Sequence, residues 1–124
     1  MINIEKNAPL APMSSFKIGG NADFYAEVKT VSELKEALKF AKENRLDFYV
    51  LGGGTNVLFS DKGFSGLIIR IRNERVKIEG NEVTAGAGAS LLGIVNAVAE
   101  AGLAGLESLA GIPGTLGGAV RGNA

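Results

Sequence analysis

FYVLGGGTNVLF, Phe48 to Phe59, places three consecutive glycines between two apolar runs. Glycine loses more conformational freedom on folding than any other residue, so such a cluster between segments that read as buried needs a reason. One reason is close approach of the backbone to an anion. A phosphate loop of the strand–loop–helix kind needs Lys-Ser/Thr after its last glycine, and Thr55-Asn56 stands there instead. A dinucleotide fingerprint, G-x-G-x-x-G, should open a helix, yet position 57 is Val and Val57-Leu58-Phe59 has β character. Two readings stay open for the loop itself: a nest of backbone N–H groups that binds an anion without a helix, and a plain tight turn between strands.

The flanks give the loop its setting. Asp23 to Val28 reads as a strand. Thr30 and Glu33 form a capping box, and Leu34, Ala37, Leu38 and Ala41 then repeat on one helical face that ends near Asn44. With the strand Phe48–Leu51, this predicts a βαβ unit with a parallel pair. Lys35, Glu36, Lys39, Lys42 and Glu43 form the solvated face of that helix. Met1 to Ser15 reads as an irregular lead-in. Beyond the loop, Val57–Phe59, Gly66–Ile71, Val76–Ile78 and Glu82–Ala85 read as strands, the last two joined at Gly80-Asn81. Ser90 is the expected N-cap of a second helix, apolar nearly all round and so expected to be buried, with Gly102 after its C-terminus.

Composition limits the chemistry. The 124 residues make up one domain's worth of chain, with 13 basic and 13 acidic residues, which argues against a nucleic-acid or anionic-membrane binder. No apolar run reaches the roughly 20 residues of a membrane span, and Met1–Leu10 has no signal-peptide pattern, so a cytoplasmic protein is expected. Cys and His are absent, which removes disulfides, thiolate chemistry and the commonest general base and metal ligand; no metal site is expected. Glycine is the outlier, 18 residues against an average of roughly 7%. A second cluster, GIPGTLGG at Gly111–Gly118, combines Pro113 with four glycines. Two such loops suggest two walls around one extended ligand.

SSFKIGGNADFYAEV, VLGGGTNVLFSDKGFSGLII, TAGAGASL and GLAGLESLAGIPGTLGGAVRGNA, in that order, cover nearly the whole chain. Together they resemble the UDP-N-acetylenolpyruvoylglucosamine reductases, also called UDP-N-acetylmuramate dehydrogenases. The resemblance implies an α+β fold: a two-part FAD-binding module of the vanillyl-alcohol-oxidase type, truncated. Residues 1–56 would be a small βαβ subdomain, and 57–124 the start of a mixed-sheet subdomain. It implies reduction of the enolpyruvyl double bond of a nucleotide sugar in cytoplasmic peptidoglycan synthesis, with FAD as cofactor and NADPH as co-substrate. Gly52, Gly53, Gly54, Thr55 and Asn56 match the family's pyrophosphate loop, with Val57 and Leu58 beside it. Gly86 and Ala87 match a strand-end contact, and Gly111, Ile112, Pro113, Gly114 and Thr115 match the segment along the flavin, with Gly118 close by. With no His or Cys, FAD would be held non-covalently.

The family's catalytic serine, glutamate and arginine lie beyond Ala124, so no catalytic residue is assigned. Arg121 is read as a loop charge or phosphate contact, and for Lys17 two readings stay open, a contact with the flavin or a stem that only packs. Two functions of different class follow: the FAD-binding part of the reductase, or a truncated, non-catalytic flavin-binding module. A complementing C-terminal chain would restore the first.

Overall fold

The computed structural model describes residues 1–122; Asn123 and Ala124, the last two of the expected second subdomain, lie outside the described residues. The chain divides into two compact units, 1–71 and 72–124. The division falls after Ile71 rather than after Asn56 because the strand that follows the glycine loop is built into the first sheet.

In the first unit, β1 (Ile4–Pro9), β2 (Asn21–Val28), β3 (Phe48–Leu51) and β4 (Phe64–Ile71) form one sheet in the order β1-β2-β4-β3. β4 is parallel to both β2 and β3, and β1 is antiparallel to β2. The strand–helix–strand unit is present, but β2 and β3 are not neighbours: β4 lies between them. The reason is burial on both faces. Leu67, Ile68 and Ile69 are fully buried, and a continuous apolar run suits a central parallel strand. Leu67 and Ile69 meet Ala37 and Ala41 of helix α1 (Val31–Glu43), while Ile68 joins Leu10, Tyr25, Leu51 and Phe59 in the core on the other face. Burying each of these β4 side chains contributes about 2 kcal/mol.

Three local expectations need correction. The lead-in is not irregular, since β1 and a 3-10 turn at Ala11–Met13 occupy it; charged residues and Pro9 hide an edge strand that buries only Ala8. Val57–Phe59 is not a strand; Phe59 is buried by loop packing and Leu58 is exposed. Nor is β3 buried, because at the sheet edge Phe48, Tyr49 and Val50 are each about half exposed and only Leu51 is covered.

α1 carries its expected cap. The Thr30 hydroxyl accepts from the Glu33 amide at 3.1 Å, and the Glu33 carboxylate accepts from the Lys29 amide at 2.7 Å. Lys39 and Glu43 pair at 3.8 Å on the solvated face. Glu36 is engaged instead, accepting from the Ile2 amide. At the other end, Arg45 donates to the Lys42 carbonyl and Leu46 to the Ala41 carbonyl, a Schellman closure. Arg45 has φ 53 there, the left-handed region that favours glycine.

The second unit pairs β5 (Val76–Glu79) with β6 (Glu82–Ala85) as a hairpin, with Gly80 at φ 57. Helix α2 (Leu91–Glu100) starts at Ser90, whose hydroxyl accepts from the Gly93 amide, and ends in a Schellman closure at Gly102, φ 77. The helix is not buried all round. Leu91, Ile94, Val95 and Val98 are covered, while Leu92, on the flank of that stripe, is 47% exposed. Ile94 and Val98 pack with Ile78, Val83, Leu103, Leu106 and Leu116. The short helix α3 (Leu116–Arg121) ends the described chain, with Arg121 exposed in its last turn.

Two measurements test this account. Arg45→Gly removes a left-handed strain of roughly 1–2 kcal/mol against glycine's greater unfolded entropy, and should stabilise the chain by about 0.5–1 kcal/mol, read as a higher urea midpoint. Tyr25 is buried and donates to Glu27 Oε1 at 3.0 Å; burial, then that hydrogen bond, raises its phenol above 10.0, and nearby Arg70 partly opposes the rise. The native state therefore keeps this proton longer than the unfolded chain. The stabilisation is complete below 10.0 and is lost as pH climbs from there through the raised folded value. Above pH 10.0, stability should fall more steeply in the wild type than in Tyr25→Phe.

Candidate functional site

The glycine loop leaves β3 at the C-terminal end of three parallel strands, the end at which open α/β sheets bind ligands. It is packed from beneath by residues 10–20. Leu10 and Gly20 close that segment by an amide-to-carbonyl bond of 2.9 Å. Ser14, 2% exposed, donates its hydroxyl to the Val57 carbonyl and accepts from the Phe16 amide at 3.2 Å.

The three glycines are not equivalent. Gly54 is buried with φ 74, and a Cβ there would run into the Met13 carbonyl oxygen. Its glycine is thus required by the protein's own packing. Gly53, Thr55 and Asn56 are exposed, Gly52 and Val57 partly so, and Leu58 is exposed.

The loop's carbonyls are tied down. The Gly54 carbonyl accepts from the Ser15 amide at 2.9 Å, and the Gly52 carbonyl from Arg70 Nε at 3.2 Å. Among the described residues, the amides of Gly53, Gly54, Thr55 and Asn56 donate to no protein acceptor. In a trans peptide the C=O and the following N–H point in opposite directions. Holding the Gly54 oxygen against Ser15 therefore aims the Thr55 N–H away from it, and no peptide in the loop is cis. Successive unpaired amides of this kind form an anion-binding concavity.

In the second unit, the structure brings the remaining sequence-derived residues together. The Gly117 amide donates to the Ala87 carbonyl at 2.8 Å, and the Leu91 amide to the Gly114 carbonyl at 3.0 Å. Ser90 and Thr115 form an antiparallel bridge. A Cβ on Gly86 would strike the Asn73 carbonyl, so Gly86 also serves internal packing. Gly111, Ile112, Pro113 and Gly114 line an open concavity of about 330 Å³ with Ser90, Leu92 and Ala110. The amides of Ala87, Gly114 and Thr115 have no protein acceptor among the described residues. The Gly118 amide is spent on the Thr115 hydroxyl at 3.3 Å, so it offers no backbone donor to a ligand.

Two residues were missed in the sequence. Arg70 carried a signal, a charge at the end of an apolar strand in the same alternation as buried Ile68. Ser14 carried none, because its role depends on a carbonyl 43 residues away. Lys17 has φ 58 and lies exposed between exposed Phe16 and Ile18.

No helix among the described residues is long and apolar enough to cross a membrane, and no group of acidic residues there could hold a metal. Each unit leaves backbone donors without a protein acceptor among the described residues: Gly53 to Asn56 in the first, and Ala87, Gly114 and Thr115 in the second.

The FAD binding domain family matches residues 22–124. The chain is 43% identical over 121 residues to the UDP-N-acetylenolpyruvoylglucosamine reductase of Solibacter usitatus, covering 98% of this chain and 39% of that protein. It is 44% identical over 124 residues to the same-named protein of Caldicellulosiruptor bescii, covering 99% and 40%. The chain spans about two-fifths of the length of these curated relatives. The crystal structure of UDP-N-acetylenolpyruvylglucosamine reductase from Thermus caldophilus superimposes with a TM-score of 0.81 at 35% identity, over 100% of this chain and 43% of that one. A solvent-stable cholesterol oxidase shares the fold alone, with a TM-score of 0.56 at 16% identity over 82% of this chain and 20% of that one. The α+β flavin module of the vanillyl-alcohol-oxidase type is thus the observed fold, and the chain belongs to the FAD binding domain family, as a stretch similar to the UDP-N-acetylenolpyruvoylglucosamine reductases.

Proposed function

We propose that this chain is the flavin-holding part of a reductase that converts UDP-N-acetylglucosamine enolpyruvate to UDP-N-acetylmuramate with NADPH, in cytoplasmic peptidoglycan synthesis. The observation that carries the reading is the run of unpaired amides from Gly53 to Asn56 at the C-terminal end of the parallel strands. Those N–H groups would take the FAD pyrophosphate, with the hydroxyl of Thr55 and the amide of Asn56 as further short donors. Val57 and Leu58 would flank it. Gly86, Ala87 and the Gly111–Thr115 segment would lie along the flavin, where Ala87, Gly114 and Thr115 offer backbone donors; Gly118 would support that segment through its bond to Thr115. FAD, when bound, would supply the two-electron chemistry, and this chain would bind and orient it without a covalent tether, since it has no His and no Cys. The nucleotide sugar and the proton donor belong, in this reading, to a part of the enzyme other than these residues.

The test is flavin retention. The 124-residue chain, mixed with FAD and freed of excess, should keep about one flavin per chain by absorbance. Gly53 is exposed and does not have a positive φ, so Gly53→Asp should leave the melting curve intact while its carboxylate repels the pyrophosphate and abolishes retention. Gly54→Ala, by contrast, should destabilise the chain even without FAD, because the Met13 carbonyl occupies the added carbon's place. A well-folded wild type that retains no flavin would overturn the proposal.

A further inference from the structure

We propose that Arg70 is a positioning residue that holds the glycine loop in its anion-binding shape; this rests on the flavin reading above. β2, β4 and β3 set Glu27, Arg70 and Leu51 in one cross-strand row. Gly52, the first loop residue, follows at the end of that row, and Arg70 Nε donates to its carbonyl at 3.2 Å. The peptide that carries this oxygen also carries the Gly53 N–H, on the opposite side of a trans bond. Pinning the oxygen to Arg70 therefore turns the Gly53 donor away from the guanidinium, into the run of unpaired amides. Ser15 does the same for Thr55 through the Gly54 oxygen.

The guanidinium is itself located. Tyr25, 5% exposed, donates to Glu27 at 3.0 Å, and Arg70 lies close enough to that phenol to oppose the rise in its pKa. Arginine's planar fork can address the loop and this polar pair at once, which a lysine ammonium on a flexible stem does not reproduce. Arg70 thus acts on the ligand through the backbone of Gly52 and Gly53.

The experiment compares FAD titrations of the wild-type chain, Arg70→Lys and Arg70→Met over a range of salt, each at a temperature where its melting curve shows it folded. Losing a charge-assisted hydrogen bond predicts that both variants weaken FAD by about tenfold or more. The slope of log Kd against log salt should stay that of the wild type, because no charge facing the phosphate has been removed. If Arg70→Lys binds as tightly as wild type while Arg70→Met flattens the slope, Arg70 pairs directly with phosphate and the proposal is overturned. Unchanged affinity with only a lower melting temperature also overturns it, as a merely structural role. Should Arg70→Met fail to fold, the Arg70→Lys titration decides alone: FAD weakened by about tenfold with the wild-type salt slope supports the proposal, and wild-type affinity overturns it. A wild type that binds no FAD overturns the flavin reading itself, and this inference with it.

Discussion

The pairing of β4 with β2 on one side and β3 on the other is the constraint from which the first unit follows. A strand that buries Leu67, Ile68 and Ile69 completely can only be central, covered by α1 on one face and by loops on the other. Three parallel strands then end together, and the chain leaving β3 must travel back along the sheet before β4 can begin. That return path runs close over its neighbours. Glycines stand where backbone touches backbone: Gly54 against the Met13 carbonyl and Gly63 against the Asn21 carbonyl on the return path, and Gly66 against the Asp47 carbonyl within β4. Much of the glycine content of this unit is thus the steric consequence of inserting one strand between two others.

The same economy shapes the site. A glycine loop left to itself would be an ensemble, and its amides would point in many directions. Here its oxygens are bonded to Ser15 and Arg70, and the Val57 oxygen to Ser14. The donors are aimed by fixing the acceptors behind them. In the proposed flavin reading this would give an anion site without a helix terminus and without a lysine, using contacts that already hold residues 10–20 against the sheet. Electrostatic preorganisation would then be a by-product of packing.

Local signals were legible where the physics is local. The Thr30–Glu33 box, the Ser90 cap, the glycine closure at Gly102 and the Gly80-Asn81 hairpin all act within a few residues, and each was read in place. The position of β4 was not legible, because strand order depends on pairing between segments 40 or so residues apart, and apolar runs do not say which neighbour they take. β1 was hidden because an edge strand needs little burial and so tolerates Glu5, Lys6 and Pro9. Val57–Phe59 misled in the opposite direction, since its apolar residues serve a loop that packs. At the site, the glycine clusters announced the loops, but not that Gly54 and Gly86 answer to internal contacts. Arg70 and Ser14 acquire their roles only once the sheet is assembled.

β3 has a colloidal consequence. It is the terminal strand of its sheet, uncharged from Phe48 to Leu51, with two aromatic rings and a valine about half exposed. Edge strands are usually guarded by a lysine, a proline or a bulge, and this one has only Asp47 at its doorstep. The formal net charge of zero adds no long-range repulsion between molecules. Self-association through this edge should therefore rise with concentration and respond weakly to salt, so dilution rather than ionic strength is the variable that keeps these chains apart.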